Sequence, residues 1–225
     1  TGRLLHIRDD ALAQVGSAGP AYTIESIEED CHDNIALCVE GEMTVPLYLD
    51  KPGAGGRMPL DPQGVPTQNG TAVYPFTVLI PKSAFDKPSA PAAYGHGLLG
   101  SRGQVGAGSF RDFAEQYNYI LFAVDWIGMA EDDIVNIVGL LSEGRLHDFQ
   151  TVVDRGQQGI LNFMLATRLM LGDFATDPSL VYQGKPALFD TSTAYYFGNS
   201  QGGIFGATLM AVQVDATRGM LGVPG

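Results

Sequence analysis

The sequence predicts an α/β fold built on a mostly parallel sheet, and two observations support that prediction. Strand-like apolar runs alternate with segments of helical periodicity from about residue 74 onward, which is the pattern of strand–helix–strand crossovers. The run at 119–124 is continuously apolar, as is typical of a strand covered on both faces of a parallel sheet. With 45% hydrophobic and 17% charged residues, the 225-residue chain has the composition of a globular protein with a sizeable core.

The charge balance excludes several classes of partner. Lys and Arg number 13 against 25 for Asp and Glu, so the formal net charge is −12. A protein this acidic lacks the basic surface needed to bind nucleic acid or an anionic membrane. No apolar stretch approaches the roughly 18 residues of a membrane helix, so no transmembrane segment is predicted.

Residues 1–70 are predicted to be an irregular, β-rich N-terminal extension. Short strand-like runs at 21–24 and 43–49 are separated by Gly and Pro, and 51–70 is typical of a long loop. The change of pattern after this loop predicts that residues 71–225 form the main domain, ending with the strand after its last helix.

The two cysteines, Cys31 and Cys38, lie close together in an acidic segment. A local disulfide fits that spacing and, with the acidic balance, favours an extracellular or periplasmic protein. Two free thiols are the alternative, while a zinc site that adds His32 fits less well because the spacing matches no common ligand pattern. Because the sequence opens at Thr1 without Met or a charged-then-apolar leader, we expect a processed or trimmed product.

The elements of the main domain follow from the spacing of apolar residues. Strands are predicted at 73–80, 90–94, 119–124, 194–197 and 220–223, with Pro75 suited to an edge position. Helices are predicted at about 110–117, 134–141, 149–171 and 201–214.

The clearest chemical signal is the segment 198–202, Gly-Asn-Ser-Gln-Gly, which fits the pattern Gly-x-Ser-x-Gly. It falls between a predicted strand and a predicted helix, where a very tight turn would hold the hydroxyl of Ser200 out of the sheet. Gly198 and Gly202 leave room for that turn, because a Cβ atom at either position would press on its neighbours. The segment predicts a nucleophilic serine, against the alternative of a glycine-rich turn without catalytic meaning.

A second motif, His-Gly-Leu-Leu-Gly at 96–100, follows the strand predicted at 90–94. Acyl transfer needs backbone N–H donors aimed at the oxygen of a tetrahedral intermediate, an arrangement called the oxyanion hole. We expect one donor to be the amide of Gln201, at a helix N-terminus, and the other to be the amide of Leu98. His96 is predicted to be structural, bonded to backbone so that it and Gly97 shape the loop, rather than the general base.

These two motifs, in this order, resemble those of the α/β-hydrolase superfamily. The segment 96–100 looks like the oxyanion loop of bacterial lipases and esterases, in which the residue after His-Gly supplies the amide. The segment 125–129, Asp-Trp-Ile-Gly-Met, also resembles the Asp-x-x-Gly that follows the superfamily's next strand. The resemblance covers about residues 74–225. It implies a serine hydrolase that cleaves small-molecule or lipid-like carboxylic esters and requires no metal or organic cofactor.

The superfamily's triad order is Ser, then Asp or Glu, then His. After Ser200 this sequence contains one acid, Asp215, and no histidine. Asp215 is expected at the wrong edge of the sheet, and His147 is expected on the surface near the start of a helix. We therefore expect the triad acid and histidine to come from polypeptide absent from this chain, which would be an inactive fragment by itself. There are two alternatives: another subunit supplies the base, or the chain is a non-catalytic relative of these enzymes.

A sheet that stopped after the strand at 220–223 would expose a long apolar edge, so we expect a further segment to cover it. Two other functions also stay open. The segment Ser-Gln-Gly-Gly at 200–203 also suits a serine peptidase of the prolyl-oligopeptidase kind, and a binding domain of the hydrolase fold that has lost catalysis is the other possibility. The loop at 96–100 favours the esterase.

Trp126 follows a predicted strand and is expected to shape the site, either by lining the acyl pocket or by packing in the core. The acidic segment 28–33 is interpreted as a solvated loop, because it lacks the spacing of a calcium loop. The acids at 131–133 are interpreted as structural, because they open a predicted helix and complement its dipole. No metal site is predicted.

Overall fold

The computed structural model describes residues 2–224, which form one seven-stranded sheet, a two-stranded ribbon and five α-helices. The strands are β1 (Ala21–His32), β2 (Ile35–Pro46), β3 (Thr71–Pro81), β4 (Ala90–Gly95), β5 (Tyr119–Val124), β6 (Val181–Tyr182), β7 (Lys185–Pro186), β8 (Ala194–Asn199) and β9 (Ala216–Gly222). The helices are α1 (Gly2–Val15), α2 (Gly108–Tyr117), α3 (Ile134–Ser142), α4 (Gln150–Leu171) and α5 (Gln201–Val212).

The large sheet has the strand order β1-β2-β3-β5-β4-β8-β9. Its first three neighbouring pairs are antiparallel, whereas β5, β4, β8 and β9 run parallel to one another. The predicted α/β class is therefore confirmed, but the sheet is mixed rather than mostly parallel. Because β4, β5, β8 and β9 are parallel, the loops that follow them lie at one edge of the sheet.

The N-terminal region is more regular than the sequence analysis predicted. Helix α1 was missed, although Leu4, Ile7 and Ala11 are buried at helical spacing on one of its faces. Strands β1 and β2 are 12 residues each and are hydrogen-bonded into the large sheet. The domain boundary near residue 70 stays a prediction, and the strands before it continue the sheet of the main domain.

Pro75 occupies a position where its missing N–H costs little. Strand β3 is internal, since it pairs with β2 on one side and β5 on the other. The ladder to β5 covers only Phe76 to Leu79, so Pro75 lies just before it and faces Glu42 of β2. The strand is locally an edge at this residue, which is the setting that tolerates proline.

Alternating side chains of the strands supply two separate cores. Helices α1, α4 and α5 pack with residues such as Val78, Phe122 and Tyr196, while α2 covers the opposite face, where Leu121 and Phe197 lie. The continuous apolar runs of β4, β5 and β8 follow from burial on both faces. Within residues 2–224, no helix is long and apolar enough to cross a membrane.

The cysteines form the local disulfide that the sequence allowed. Cys31 and Cys38 are joined across the β1–β2 hairpin with their Cα atoms 6.0 Å apart, and both pack against the core on the α2 face. Of the three possibilities for these residues, the disulfide is therefore the one present.

Replacing both cysteines by serine is expected to lower the free energy of unfolding by about 2 kcal/mol, because the short closed loop no longer restrains the unfolded chain. Urea unfolding of the double variant and of wild type measures the difference. Wild type under reducing conditions serves as the control and should approach the variant. An unchanged unfolding midpoint in the double variant would contradict a stabilising disulfide.

Candidate active site

Ser200 lies on a sharp turn between β8 and α5. Its backbone has φ 55° and ψ −120°, a conformation that a residue with a side chain rarely adopts. The Ser200 amide donates to the carbonyl of Gly222 at 2.9 Å, and the Ser200 carbonyl accepts from Ile204 at 3.0 Å. These bonds hold the turn from both sides, and the residue itself is exposed to solvent.

The glycines beside Ser200 are required by close approaches of the backbone. A Cβ atom on Gly202 would lie 2.0 Å from the carbonyl oxygen of Gly95 at the end of β4. A Cβ atom on Gly198 would lie 2.6 Å from the carbonyl oxygen of Gly202. The first turn of α5 therefore sits directly against the carboxyl end of β4, which brings the serine turn next to the loop that follows β4.

Tyr196 fills the space beneath this turn, and sequence reasoning did not single it out. Its buried hydroxyl donates to the carbonyl of Gly202, and its ring occupies the position of a Cβ atom on Gly206. Burial raises the pKa of this phenol well above its ordinary value, so it remains a donor. A tyrosine that precedes several glycines in the sequence is the signal that could have indicated this packing.

His96 is held entirely by backbone groups. Its Nε2 accepts from the amide of Trp126 at 2.8 Å, and its Nδ1 donates to the carbonyl of Gly97 at 2.9 Å. Together these bonds define the neutral tautomer with its proton on Nδ1. Both ring nitrogens are thus engaged in linking the loop after β4 to the loop after β5, which leaves neither nitrogen for Ser200.

Leu98 and Leu99 differ in exposure and in hydrogen bonding. The side chain of Leu98 is exposed, with 65% relative accessibility for the residue, and its amide has no acceptor among the described residues. Leu99 has a φ of 49°, and its amide donates to Oε1 of Gln201 at 3.3 Å. The Gly97 amide donates to Oε1 of Gln104 at 3.0 Å, which ties the start of the loop to the following turn.

Gln201 connects this loop to a third one. Its Nε2 donates to the carbonyl of Met129, after β5, at 2.8 Å, and the residue is only 4% exposed. The neighbouring Glu131 amide donates to the carbonyl of Gly100 at 2.9 Å. Loops after β4, β5 and β8 therefore meet at Gln201, as the direction of these strands requires.

Trp126 packs in the core and does not face the surface. The residue is 0% exposed and its ring stacks on Phe163, with ring centroids 3.8 Å apart. Of the two roles that the sequence allowed, the ring has the packing role, and the backbone amide of Trp126 reaches the site through His96. Asp125, the residue before it, accepts from the Arg102 amide at 2.6 Å and pairs with its guanidinium at 3.1 Å.

A buried ion pair fixes the loop after β5. Asp133 pairs with Arg155 of α4 at 2.6 Å and accepts from the amides of Gly128 and Ala130, at 2.6 and 3.2 Å. Both charged side chains are almost wholly buried. Each therefore needs the opposite charge of the other to offset the free-energy cost of leaving water. The acidic start of α3 thus has the structural role expected for it.

The other candidate acids and bases are not joined to the serine turn. Asp215 forms a two-bond ion pair with Arg168, at 2.8 and 2.9 Å, near the amino end of β9 and so at the opposite edge of the sheet. His147 is exposed beside Asp148. In residues 2–224 no histidine is hydrogen-bonded to Ser200, and no group of three or more His, Cys, Asp or Glu could hold a metal ion.

The architecture is similar to those of solved esterases. A candidate acetyl xylan esterase from Bacteroides fragilis matches with a TM-score of 0.54 and 14% identity, over 96% of this chain and 50% of that one. Acetyl xylan esterase 1 from a Thermoanaerobacterium species matches with a TM-score of 0.51 and 12% identity, over 96% of this chain and 56% of that one. No protein-family model and no curated protein matches the sequence.

These similarities show that the chain has the fold of the α/β-hydrolases. They also show that the chain spans about half the length of the two esterase structures. The fold prediction made from the two sequence motifs is confirmed. The roles of the individual site residues stay predictions at this point.

Replacing Gly202 by alanine is expected to lower the free energy of unfolding by about 3 kcal/mol, because the new methyl group meets a backbone oxygen that cannot move aside. Denaturant unfolding of the variant measures the loss. Gly106→Ala is the matched control, since a Cβ atom there meets nothing within 4 Å, and it should unfold close to wild type. Equal unfolding midpoints for the two variants would contradict the close approach of Gly202 to the Gly95 carbonyl.

The burial of His96 predicts a pH dependence of stability. Burial lowers the pKa of the ring below its ordinary 6.5, against the opposing effects of the Gly97 carbonyl and Asp125. The unfolded chain therefore takes up a proton below about pH 6.5 that the folded chain resists. The stability linked to this group is complete above that pH and is lost as the pH falls towards the folded-state pKa.

We expect the urea midpoint of wild type to decrease between about pH 7.5 and about pH 5.5, and the decrease to be smaller in His96→Gln. His147→Gln, which replaces an exposed histidine, is the comparison variant. A His96→Gln variant with the same slope as wild type would show that this ring does not carry the pH dependence.

Proposed function

We propose that Ser200 is the nucleophile of a serine hydrolase that cleaves carboxylic esters. The observation that carries the proposal is the exposed serine at φ 55° and ψ −120°, between a buried parallel strand and a helix. A hydroxyl on such a turn reaches above the sheet, where a substrate carbonyl can approach it. The proposal treats this turn as the nucleophile elbow of the hydrolase fold.

The proposed reaction proceeds through an acyl-enzyme. The Ser200 oxygen forms a bond to the ester carbonyl carbon while a histidine takes the hydroxyl proton. The carbon–oxygen bond to the alcohol then breaks, and the alcohol leaves with that proton. Water adds to the acyl-enzyme with the same histidine as base, the acid is released, and the serine regains its proton.

The amides of Leu98 and Gln201 are the proposed oxyanion donors. Both belong to segments that meet beside Ser200, and Gln201 opens α5, whose N-terminal dipole favours a developing negative charge. The Leu98 amide has no acceptor within the described residues, which leaves it available to a substrate oxygen. His96 and Gly97 would shape the loop that presents it.

The proton-transfer partners are proposed to lie in polypeptide outside this chain. No histidine of residues 2–224 is bonded to Ser200, and Asp215 is engaged by Arg168 at the other edge of the sheet. The chain spans about half of the esterases that it resembles, and β9 has β8 as its only partner strand in the described part. Further polypeptide would supply the triad acid and base and cover β9.

An ester substrate is favoured over a peptide. Both structures matched above are described as acetyl xylan esterases, and the His-Gly-Leu-Leu-Gly loop is of the esterase type. The disulfide between Cys31 and Cys38, together with the acidic composition, supports an extracellular or periplasmic location.

The test uses the full-length protein that contains this chain and a fluorophosphonate, which reacts with an activated serine. We expect labelling of wild type and its loss in Ser200→Ala, because only a serine paired with a base is nucleophilic at neutral pH. Ser192→Ala is the matched control, since that hydroxyl is bonded to Asp190 in an exposed turn, and it should label like wild type.

Turnover then separates the substrate classes. A short p-nitrophenyl ester should be cleaved much faster than an aminoacyl arylamide, and residues 1–225 alone should cleave neither until the remaining polypeptide is added. Faster arylamide cleavage would favour the peptidase. A folded full-length protein without labelling would favour a non-catalytic binding domain. Full activity of residues 1–225 alone would contradict the proposal that the base lies outside this chain.

A further inference from the structure

The side chain of Gln201 makes contacts that its backbone role does not require. An oxyanion donor at this position uses only its main-chain amide, so the proposed function leaves the side chain without a task. Yet this side chain is almost fully buried and satisfies both ends of its amide group. Its Oε1 accepts from the Leu99 amide at 3.3 Å, and its Nε2 donates to the Met129 carbonyl at 2.8 Å.

Neither partner belongs to α5, the helix that Gln201 opens. Leu99 lies in the loop after β4, and Met129 lies in the loop after β5. A polar side chain that merely avoided an unsatisfied amide could have turned to solvent or to its own helix. Gln201 instead spans the gap between two loops and ties each of them to the serine turn.

The contact with Leu99 bears directly on the neighbouring donor. Leu99 has a φ of 49°, a left-handed conformation that is unfavourable for a branched side chain and must be held by its surroundings. Because Oε1 of Gln201 receives the Leu99 amide, the conformation of the loop is fixed at the residue after Leu98. The Leu98 amide precedes this point and keeps its hydrogen free within the described residues.

We propose that the Gln201 side chain is the positioning residue of the oxyanion hole, holding the 96–100 loop at a set distance from Ser200. Gln201 would then have two roles. Its backbone amide would donate to the oxyanion, and its side chain would fix the position of the Leu98 amide, the second donor. This inference rests on the proposed function, because it assigns the donor of the same site. The hydrogen bond from the Glu131 amide to the Gly100 carbonyl would also hold the end of the 96–100 loop.

The test is Gln201→Met in the full-length protein, which keeps the backbone amide and nearly the same volume but removes both side-chain bonds. We expect kcat for a p-nitrophenyl ester and the rate of fluorophosphonate labelling to fall about 10- to 100-fold, as for a displaced oxyanion donor. KM should stay within about twofold of wild type, because the loop is needed for the intermediate and not for the bound ester.

Gln213→Met is the matched control at the other end of α5. That side chain accepts from the Val214 amide at 2.9 Å and donates to Thr167 at 3.3 Å, so a comparable set of bonds is lost away from the site. It should keep kcat even if its unfolding midpoint falls. Hydrogen exchange of the Leu99 amide should accelerate in Gln201→Met and not in Gln213→Met.

The outcomes separate the two proposals. Wild-type labelling at Ser200 with unchanged kcat and unchanged Leu99 exchange in Gln201→Met would overturn this inference and leave the proposed function standing. No labelling of folded wild type would overturn the proposed function, and this inference with it. If Gln201→Met does not fold, Gln201→Asn, one methylene too short to reach both loops, should show the same loss, and wild-type kcat there would overturn the inference.

Discussion

The structure of the site depends on one close contact between backbones, that of Gly202 with the carbonyl of Gly95. The contact leaves no room for a Cβ atom and brings α5 against the end of β4. It brings the turn at Ser200 beside the loop that carries Leu98, although the two are far apart in sequence. Interiors are packed too densely to absorb an added methyl group here, so the geometry of the turn and that of the adjacent loop are set together.

Around this contact, buried polar groups link the loops to one another and to α4. His96 joins the loops after β4 and β5, and Asp133 with Arg155 fastens the second of these to α4. Buried polar groups are costly unless every bond is made, so each satisfied group permits few alternative arrangements. The proposed oxyanion donors would need such fixed loops, because stabilising charge in a transition state requires donors that are already in place.

The parts of the fold that sequence predicted well are those with strong local patterns. Strands β3, β4, β5 and β8 and helices α4 and α5 follow from apolar spacing, and the serine turn follows from two glycines between a strand and a helix. Strand β9 begins four residues before its predicted start at 220, and the short strands β6 and β7 were not predicted. Helix α1 was missed because its weakly amphipathic sequence borders a region rich in Gly and Pro. The contacts of Tyr196 and of the Gln201 side chain could not be predicted, since they depend on which loops meet at the sheet edge.

The same reasoning is consistent with the proposed division of the site, in which this chain holds the nucleophile and the oxyanion donors and other polypeptide supplies the base. Backbone donors are positioned by the strands and turns that carry them, and β4, β8 and α5 are all present here. A base is a side chain that must approach the serine from a further loop of the same sheet edge. In that proposal the position of the base does not depend on the contacts at Gly202, and the base would come from polypeptide that extends the sheet beyond β9.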